Sequence, residues 1–153
     1  MRDEGEIDSG EARTEGLGSP KGLYTETIRS EWIDRSGHLN SAYYVLAFDQ
    51  SDSAYLSEVG ISDDYVKEHR CGVFWGDLQI RYLKEVVEGD VLTFRHQIIH
   101  YDRKGLHLWQ EMLHYEHGFL AAECEMLVLH VDLVKRKLEI FLTVSVRILR
   151  QNI

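Results

Sequence analysis

The chain has 153 residues, the length of one ordinary domain. It carries 17 lysine and arginine residues against 26 aspartate and glutamate residues, and this formal net charge of −9 disfavours a nucleic-acid partner. Its longest apolar run, Ala42–Phe48, is far shorter than the roughly 20 residues of a membrane-spanning helix. We therefore expect one folded domain with no nucleic-acid or membrane partner.

The first 22 residues differ in composition from the rest of the chain. They hold five of the twelve glycines, the only proline and six acidic residues, and we expect them to form a disordered tail before a folded domain at 23–153. No basic region followed by an apolar stretch marks a signal peptide. The two cysteines, Cys71 and Cys124, fit no disulfide or zinc pattern, so we expect reduced, buried thiols and a cytoplasmic protein.

The first elements predicted in the domain are a strand, a turn and a long helix. Aromatic and β-branched residues over 23–33 favour a strand, and Asp34–Gly37 has the composition of a turn. Apolar residues then recur at helical spacing from Asn40 to Val59, and Gly60 suits a helix end. A helix of about five turns is predicted there.

The rest of the chain changes to a period of two, which is typical of strands. Turn residues at Glu88–Asp90, Asp102–Gly105 and Glu116–Gly118 separate four such segments, and consecutive strands are expected to pair antiparallel. The alternating residues of the four strands are Leu78, Ile80 and Tyr82; Leu92, Phe94, His96 and Ile98; Leu106, Leu108, Gln110 and Met112; and Leu120, Ala122, Cys124, Met126 and Val128. The pattern indicates an α+β fold. For the segment after Asp132 it allows either a strand or a helix.

The densest polar cluster is Asp34–Asn40, between the first strand and the start of the helix. Backbone N–H groups at a helix start lack intrahelical partners and can hold an anion or a developing oxyanion. A carboxylate beside them could attack a carbonyl or direct a water molecule. On the residue types alone, the simpler interpretation is that Asp34 is a turn residue and Asn40 a helix cap.

The same stretch carries a family resemblance. The run Glu31–Tyr44, followed by Phe48, Asp52 and Gly60, resembles the signature of hotdog-fold acyl-CoA thioesterases of the 4-hydroxybenzoyl-CoA thioesterase type. The likeness covers about residues 23–137 and is strongest to the betainyl-CoA thioesterase branch. Its later segments are Ile80–Leu83, Glu88–Asp90, Gly105–Leu108, Glu111–Met112 and His130–Leu133.

The resemblance implies a fold, an activity and a set of site residues. The fold would be a hotdog, a curled antiparallel sheet of five or six strands around the long helix, and the reaction would be hydrolysis of an acyl-CoA thioester. Asp34 would be the nucleophile or general base, with backbone N–H groups near Asn40, Ser41 and Ala42 polarising the thioester oxygen. Gly37, His38, Asn40 and Ser41 would shape the turn or position substrate, and Tyr44 and Asp52 would belong to the acyl pocket, Asp52 in the partner subunit. From its place in the helix pattern alone, Asp52 is most simply a solvated helix-face residue.

The resemblance also implies partners: acyl-CoA as substrate, a homodimer or dimer of dimers, and no metal or organic cofactor. A non-catalytic hotdog module that binds acyl-CoA or acyl carrier protein is the alternative function. A hydratase of the same fold is a weaker third possibility, because no matching Asp and His pair is present. The acyl group itself stays open.

Other chemically active side chains have simpler interpretations. His96 and His100 share a strand face but stand about 13 Å apart, too far to bind one metal ion, so we expect no metal site. We expect Trp75, Trp109 and Tyr82 to pack in the sheet rather than line an acyl pocket. Four cations at strand ends or turns are candidates for a CoA phosphate: Arg81, Lys84, Arg103 and Lys104.

Overall fold

A single antiparallel sheet organises the structure, a computed structural model that describes residues 24–142. The strand order is β1-β3-β4-β5-β2, and β6 pairs with β5. The predicted tail at 1–22 lies outside the described residues, so the domain boundary stays a prediction. The strands are β1 (Thr25–Thr27), β2 (Cys71–Tyr82), β3 (Val91–Tyr101), β4 (Gly105–His114), β5 (Leu120–Asp132) and β6 (Lys137–Leu138).

The long helix α1 (Ser41–Glu58) packs its apolar face on this sheet. The Phe48 ring meets that of Phe94 on β3 at 5.9 Å, and Tyr55 stacks on His96 at 4.5 Å. The helix ends in a Schellman motif, in which the N–H of Ile61 bonds to the carbonyl of Leu56 at 2.7 Å. The helix predicted from Asn40 to Val59 is confirmed, and these two residues are its caps.

Gly60 follows the helix with φ +93°, the left-handed conformation that its predicted place at the helix end requires. A second helix, α2 (Asp63–His69), comes directly after it. Sequence analysis missed α2 because seven residues are too few to show a helical period. Its start signal is nevertheless present, since the Ser62 hydroxyl accepts the N–H of Tyr65.

The predicted strand over 23–33 is wrong beyond Thr27. Only Thr25–Thr27 pairs with β3, and Ser30–Trp32 form one turn of 3₁₀ helix. The Ile28 N–H donates to the carbonyl of Asp90 at 2.9 Å, one register position beyond the last strand pair. A short apolar stretch does not distinguish a strand from a helical turn when so few residues define the period.

The strands β3, β4 and β5 form the predicted antiparallel meander, but β2 does not pair with β3. It lies against β5 along its whole length and begins at Cys71, before the predicted Leu78. A bulge between Trp75 and Asp77 obscures the alternation in its first half. A Cβ at Gly76, at this bulge, would lie 2.7 Å from Cδ1 of Leu129, so a larger residue there would require the Leu129 side chain to move.

Residues 83–90 cross from the end of β2 to β3 at the far side of the sheet, and this crossing explains why the two strands are not neighbours. The N–H groups of Leu83 and Lys84 bond to the carbonyl of Ala121 on β5, and Gly89 bonds to the carbonyl of Ile28. In the middle of this segment, the carbonyl of Val86 accepts the N–H of Leu39 at 2.9 Å. The crossing segment is thereby tied across the start of α1.

The segment after Asp132 turns back to form β6, so of the two open alternatives the strand occurs at Lys137–Leu138. Residues 143–153 lie outside the described part of the chain. Cys71 and Cys124 are free and buried, as predicted. None of the helices within residues 24–142 has the length and apolar character needed to cross a membrane.

Candidate active site

Asp34 begins a tight turn that fixes one oxygen of its carboxylate. Its Oδ1 accepts the N–H of Ser36 at 2.7 Å, and its carbonyl accepts the N–H of Gly37 at 3.0 Å. Gly37 has φ +84°, which a side chain would strain. Within residues 24–142 no hydrogen bond or ion pair engages Asp34 Oδ2, which leaves that oxygen for substrate or water.

The start of α1 offers one backbone donor beside this turn. The N–H of Asn40 donates to the Trp32 carbonyl at 3.0 Å, and the N–H of Ala42 to Asn40 Oδ1 at 2.9 Å. Tyr43 donates to the Asn40 carbonyl. Among the described residues, only the Ser41 N–H of the predicted set has no partner. Of the backbone N–H groups expected to polarise the thioester oxygen, only that of Ser41 remains a candidate.

His38 lies in the same turn, with Nδ1 3.2 Å from the carbonyl of Leu39. A carbonyl oxygen only accepts hydrogen bonds, so Nδ1 must carry the hydrogen in this contact. In the neutral ring Nε2 is then the acceptor. The geometry therefore orients His38 as a side chain that can accept a hydrogen bond.

These groups border one cavity of about 340 Å³. One wall is the turn and the start of α1, and the other is the end of β2 with the crossing segment. The lining residues are Asp34, His38, Leu39, Ser41, Tyr44, Tyr82, Leu83, Lys84 and Glu85. The structure thus brings most predicted site residues together, while the N–H of Gly37 and the side chain of Asn40 are occupied within the turn and the cap.

The sequence indicated only Lys84 of the second wall as a candidate ligand contact. Tyr82, expected to pack in the sheet, is 51% exposed and lines the cavity, so that expectation is wrong for this residue. Its ring meets the buried ring of Tyr44 edge to face at 5.1 Å. Burial, with a smaller contribution from Glu85, raises the pKa of Tyr44 above its usual value, so its hydroxyl stays protonated at neutral pH. The rule that consecutive strands pair does not predict this wall, because the wall is formed by the crossing of residues 83–90 past the start of α1.

Asp52 lies outside this cavity in the single chain. It is 3% exposed, so the expectation of a solvated helix-face residue is wrong. It lies about 12 Å beyond Tyr44 along α1, from the helical rise. The Trp75 Nε1–H donates to its Oδ2 at 3.1 Å, and Oδ1 has no partner among the described groups. Burial raises the pKa of Asp52 to about 7, partly offset by the Trp75 hydrogen bond. Its role in a partner's acyl pocket stays a prediction.

His96 and His100, which the sequence placed on one strand face, have different surroundings. His96 is buried, with Nε2 2.9 Å from the Ser51 hydroxyl, and burial lowers its pKa to about 4. A register shift between Ile98 and His100 breaks the strand alternation, and His100 is exposed. Within residues 24–142 no three His, Cys, Asp or Glu side chains converge on one point.

Of the four cations suggested for a CoA phosphate, only Lys84 borders the candidate cavity. Its ammonium group lies 4.0 Å from the ring centroid of Phe119. Arg81 pairs with Glu123 and lies over Trp109, which is buried in the sheet as expected. Arg103 and Lys104 line a separate cavity beside Ile140.

The chain is similar to proteins of known family. Residues 28–146 match the family model described as the thioesterase-like superfamily. The chain is 30% identical over 110 residues to a betainyl-CoA thioesterase of Pseudomonas aeruginosa, covering 72% of this chain and 69% of that protein. A match of 30% over 124 residues to an L-carnitine dehydrogenase/betainyl-CoA thioesterase of Ruegeria pomeroyi covers 81% of this chain but only 25% of that protein.

A solved structure shows the same architecture. A Staphylococcus aureus protein in complex with CoA superimposes with a TM-score of 0.79 and 26% sequence identity, over 84% of this chain and 81% of that one. The predicted hotdog fold, a curled antiparallel sheet around a long helix, is confirmed. The family model covers well over half of the chain. The chain therefore belongs to the thioesterase-like superfamily and is a thioester hydrolase.

Proposed function

We propose that the protein hydrolyses an acyl-CoA thioester, with Asp34 as the reacting carboxylate and the Ser41 N–H as the oxyanion donor. The observation that carries this proposal is that both groups border one cavity at the start of α1. The relatives named betainyl-CoA thioesterases and the structural neighbour in complex with CoA support the choice of acyl-CoA.

The chemistry follows from the two groups. As a general base, Asp34 takes a proton from water while the water oxygen bonds to the thioester carbon. The negative charge on the carbonyl oxygen is stabilised by the Ser41 N–H and the positive end of the α1 dipole. The C–S bond then breaks, and the proton on Asp34 passes to the departing CoA sulfur.

The alternative route makes Asp34 the nucleophile. Its Oδ2, unengaged among the described residues, would bond to the carbonyl carbon, release CoA thiolate and leave a mixed anhydride that water hydrolyses. A single turnover in ¹⁸O-labelled water identifies this route when label appears on the protein. Label enters the Asp34 carboxylate only if the anhydride forms and water attacks its aspartyl carbon.

The decisive variant is Asp34→Asn. Asparagine keeps the oxygen that accepts the Ser36 N–H, so a residue needed only for the turn would tolerate the change. We expect thiol release from a panel of betainyl-, acetyl-, hydroxybenzoyl-, medium-chain and long-chain-CoA to fall by at least about 100-fold, in line with the loss of a general base. The measurement is thiol release with a chromogenic disulfide reagent.

Asp102→Asn is the matched control. The Asp102 Oδ1 caps a similar turn, accepting the N–H groups of Lys104 and Gly105, but it lies outside the candidate cavity. This variant should keep full activity, as should the wild type after EDTA treatment, because the proposed reaction needs no metal. Full activity of Asp34→Asn would contradict the catalytic assignment. Saturable acyl-CoA binding without thiol release would favour the non-catalytic module.

A further inference from the structure

The walls of the candidate cavity combine aromatic rings with carboxylates. Tyr44 and Tyr82 provide the rings, and Asp34 and Glu85 provide the carboxylates. The face of an aromatic ring and a carboxylate both attract a positive charge, and together they are the usual elements of quaternary ammonium recognition. This composition is unusual for a pocket that only has to accept an apolar acyl chain.

Tyr82 is placed to touch a ligand rather than to fill the core. It is the last residue of the edge strand β2 and is 51% exposed, whereas Tyr44 is only 4% exposed. The edge-to-face contact between the two rings, with an interplanar angle of 89°, holds Tyr82 at the cavity while leaving much of its surface open.

The charged groups around the cavity favour a cation. Four titratable residues besides the tyrosines line it: Asp34, His38, Lys84 and Glu85. The Lys84 ammonium already lies over the Phe119 ring at 4.0 Å, on the side of β5. Neither Glu85 nor Asp34 forms an ion pair with another described residue. The two carboxylates thus remain to attract a positive charge.

We propose that Tyr82, together with Glu85, recognises the positive charge of the acyl group and selects a quaternary ammonium group over a neutral group of equal size. The proposal rests on the proposed function, because it places the acyl group beside Asp34 and Ser41. In a betainyl thioester the trimethylammonium group stands one carbon from the carbonyl, so it lies within the same cavity when the carbonyl oxygen meets the Ser41 N–H.

The test compares betainyl-CoA with 3,3-dimethylbutyryl-CoA, which carries a tert-butyl group in place of trimethylammonium. We expect the wild type to have a higher kcat/KM for the cationic thioester. Tyr82→Leu should lower that value about tenfold and lower the value for the neutral thioester much less, because leucine has no π face. Tyr82→Phe, the matched control, should retain most of the preference. Glu85→Gln should cause a smaller loss that high salt reduces.

Equal kcat/KM for the two thioesters in the wild type, or an equal loss for both in Tyr82→Leu, would overturn the proposal. If Tyr82→Leu does not fold, the Glu85→Gln variant decides, because an equal loss for both thioesters would overturn the proposal. If the wild type releases thiol from neither thioester, the proposed hydrolysis is contradicted, but the charge preference can still be tested. Calorimetric titration with the two intact thioesters then replaces the kinetics. Tighter binding of betainyl-CoA that Tyr82→Leu removes would support the charge-reading role, and equal binding would refute it.

Discussion

At the scale of single residues, two aspartates of the same signature have opposite surroundings. Asp34 sits in a turn at the mouth of a cavity, and Asp52 is enclosed between α1 and the sheet. Burying a carboxylate raises the free energy of its ionised form unless that form is paired. Only Oδ2 of Asp52 has a partner, the Trp75 indole. The same type of side chain is therefore a candidate reacting group at Asp34 and a group that destabilises the fold when ionised at Asp52.

This difference predicts how stability depends on pH. The pKa of Asp52 is raised from 3.8 to about 7 in the folded chain, so the folded state holds a proton that the unfolded state releases. The contribution of Asp52 to the free energy of unfolding therefore falls as the pH rises from about 4 to about 7, and it does not change further at higher pH. Asp52→Asn removes the titration. Its stability gain over the wild type should increase by about 2 kcal/mol between pH 5 and pH 8.

Urea unfolding of both proteins at the two pH values measures the effect. A difference that does not change with pH would show that Asp52 titrates alike in the folded and unfolded chains. Asp49→Asn is the control, because this neighbour contributes only a minor increase to the pKa of Asp52.

At the scale of elements, the start of α1 combines a structural role with the proposed catalytic one. The Asn40 side chain binds the Ala42 N–H and so takes up one of the unpaired donors of the helix. Ser41 borders the cavity, and its N–H has no partner among the described residues. The cap therefore stabilises the helix and leaves one N–H for the proposed oxyanion role.

Asn40→Ala should lower the free energy of unfolding by about 1 kcal/mol, the usual effect of losing a cap. Asn40→Asp should restore it, because a carboxylate oxygen accepts the same N–H and interacts favourably with the helix dipole. Chemical denaturation followed by circular dichroism measures both. Equal stability of Asn40→Ala and the wild type would show that the Asn40 side chain contributes nothing to the helix.

At the scale of the whole molecule, β2 leaves an edge of the sheet open. Its twelve residues pair with β5 on one side, and within residues 24–142 no strand covers the other side. Phe74 on this strand is 47% exposed, and it borders a groove beside α1 that also contains Val73, Leu56 and Ile61. An open edge with an apolar neighbour favours pairing with a second copy of the chain. We propose a homodimer, or a dimer of dimers, through this edge.

Light scattering after gel filtration should give the wild type a mass of two or four chains. Phe74→Lys places a charge beside the edge and should lower the mass to that of a single chain or, for a dimer of dimers, of two chains. Ile99→Lys, a change of the same type at a 44% exposed position on β3, should leave the mass unaltered. A monomeric wild type at micromolar concentration, or a Phe74→Lys protein of unchanged mass, would refute assembly through this edge.

Local patterns in the sequence predicted much of this protein. The spacing of apolar residues located α1 and its caps, the period of two located β3, β4 and β5, and the signature around Asp34 indicated the family. Each of these signals lies within a few consecutive residues, where backbone geometry and periodicity act directly. The catalytic role of Asp34 stays a prediction that the Asp34→Asn experiment tests.

Only the tertiary structure determined which distant segments meet. The pairing of β2 with β5 and the crossing of residues 83–90 bring Tyr82 and Glu85 to the start of α1, and no local pattern encodes those contacts. The burial of Asp52 and the shift of its pKa arise in the same way, from atoms far away in sequence. Periodicity reports the face on which a residue lies, whereas the neighbour across that face depends on how the whole sheet curls around the helix.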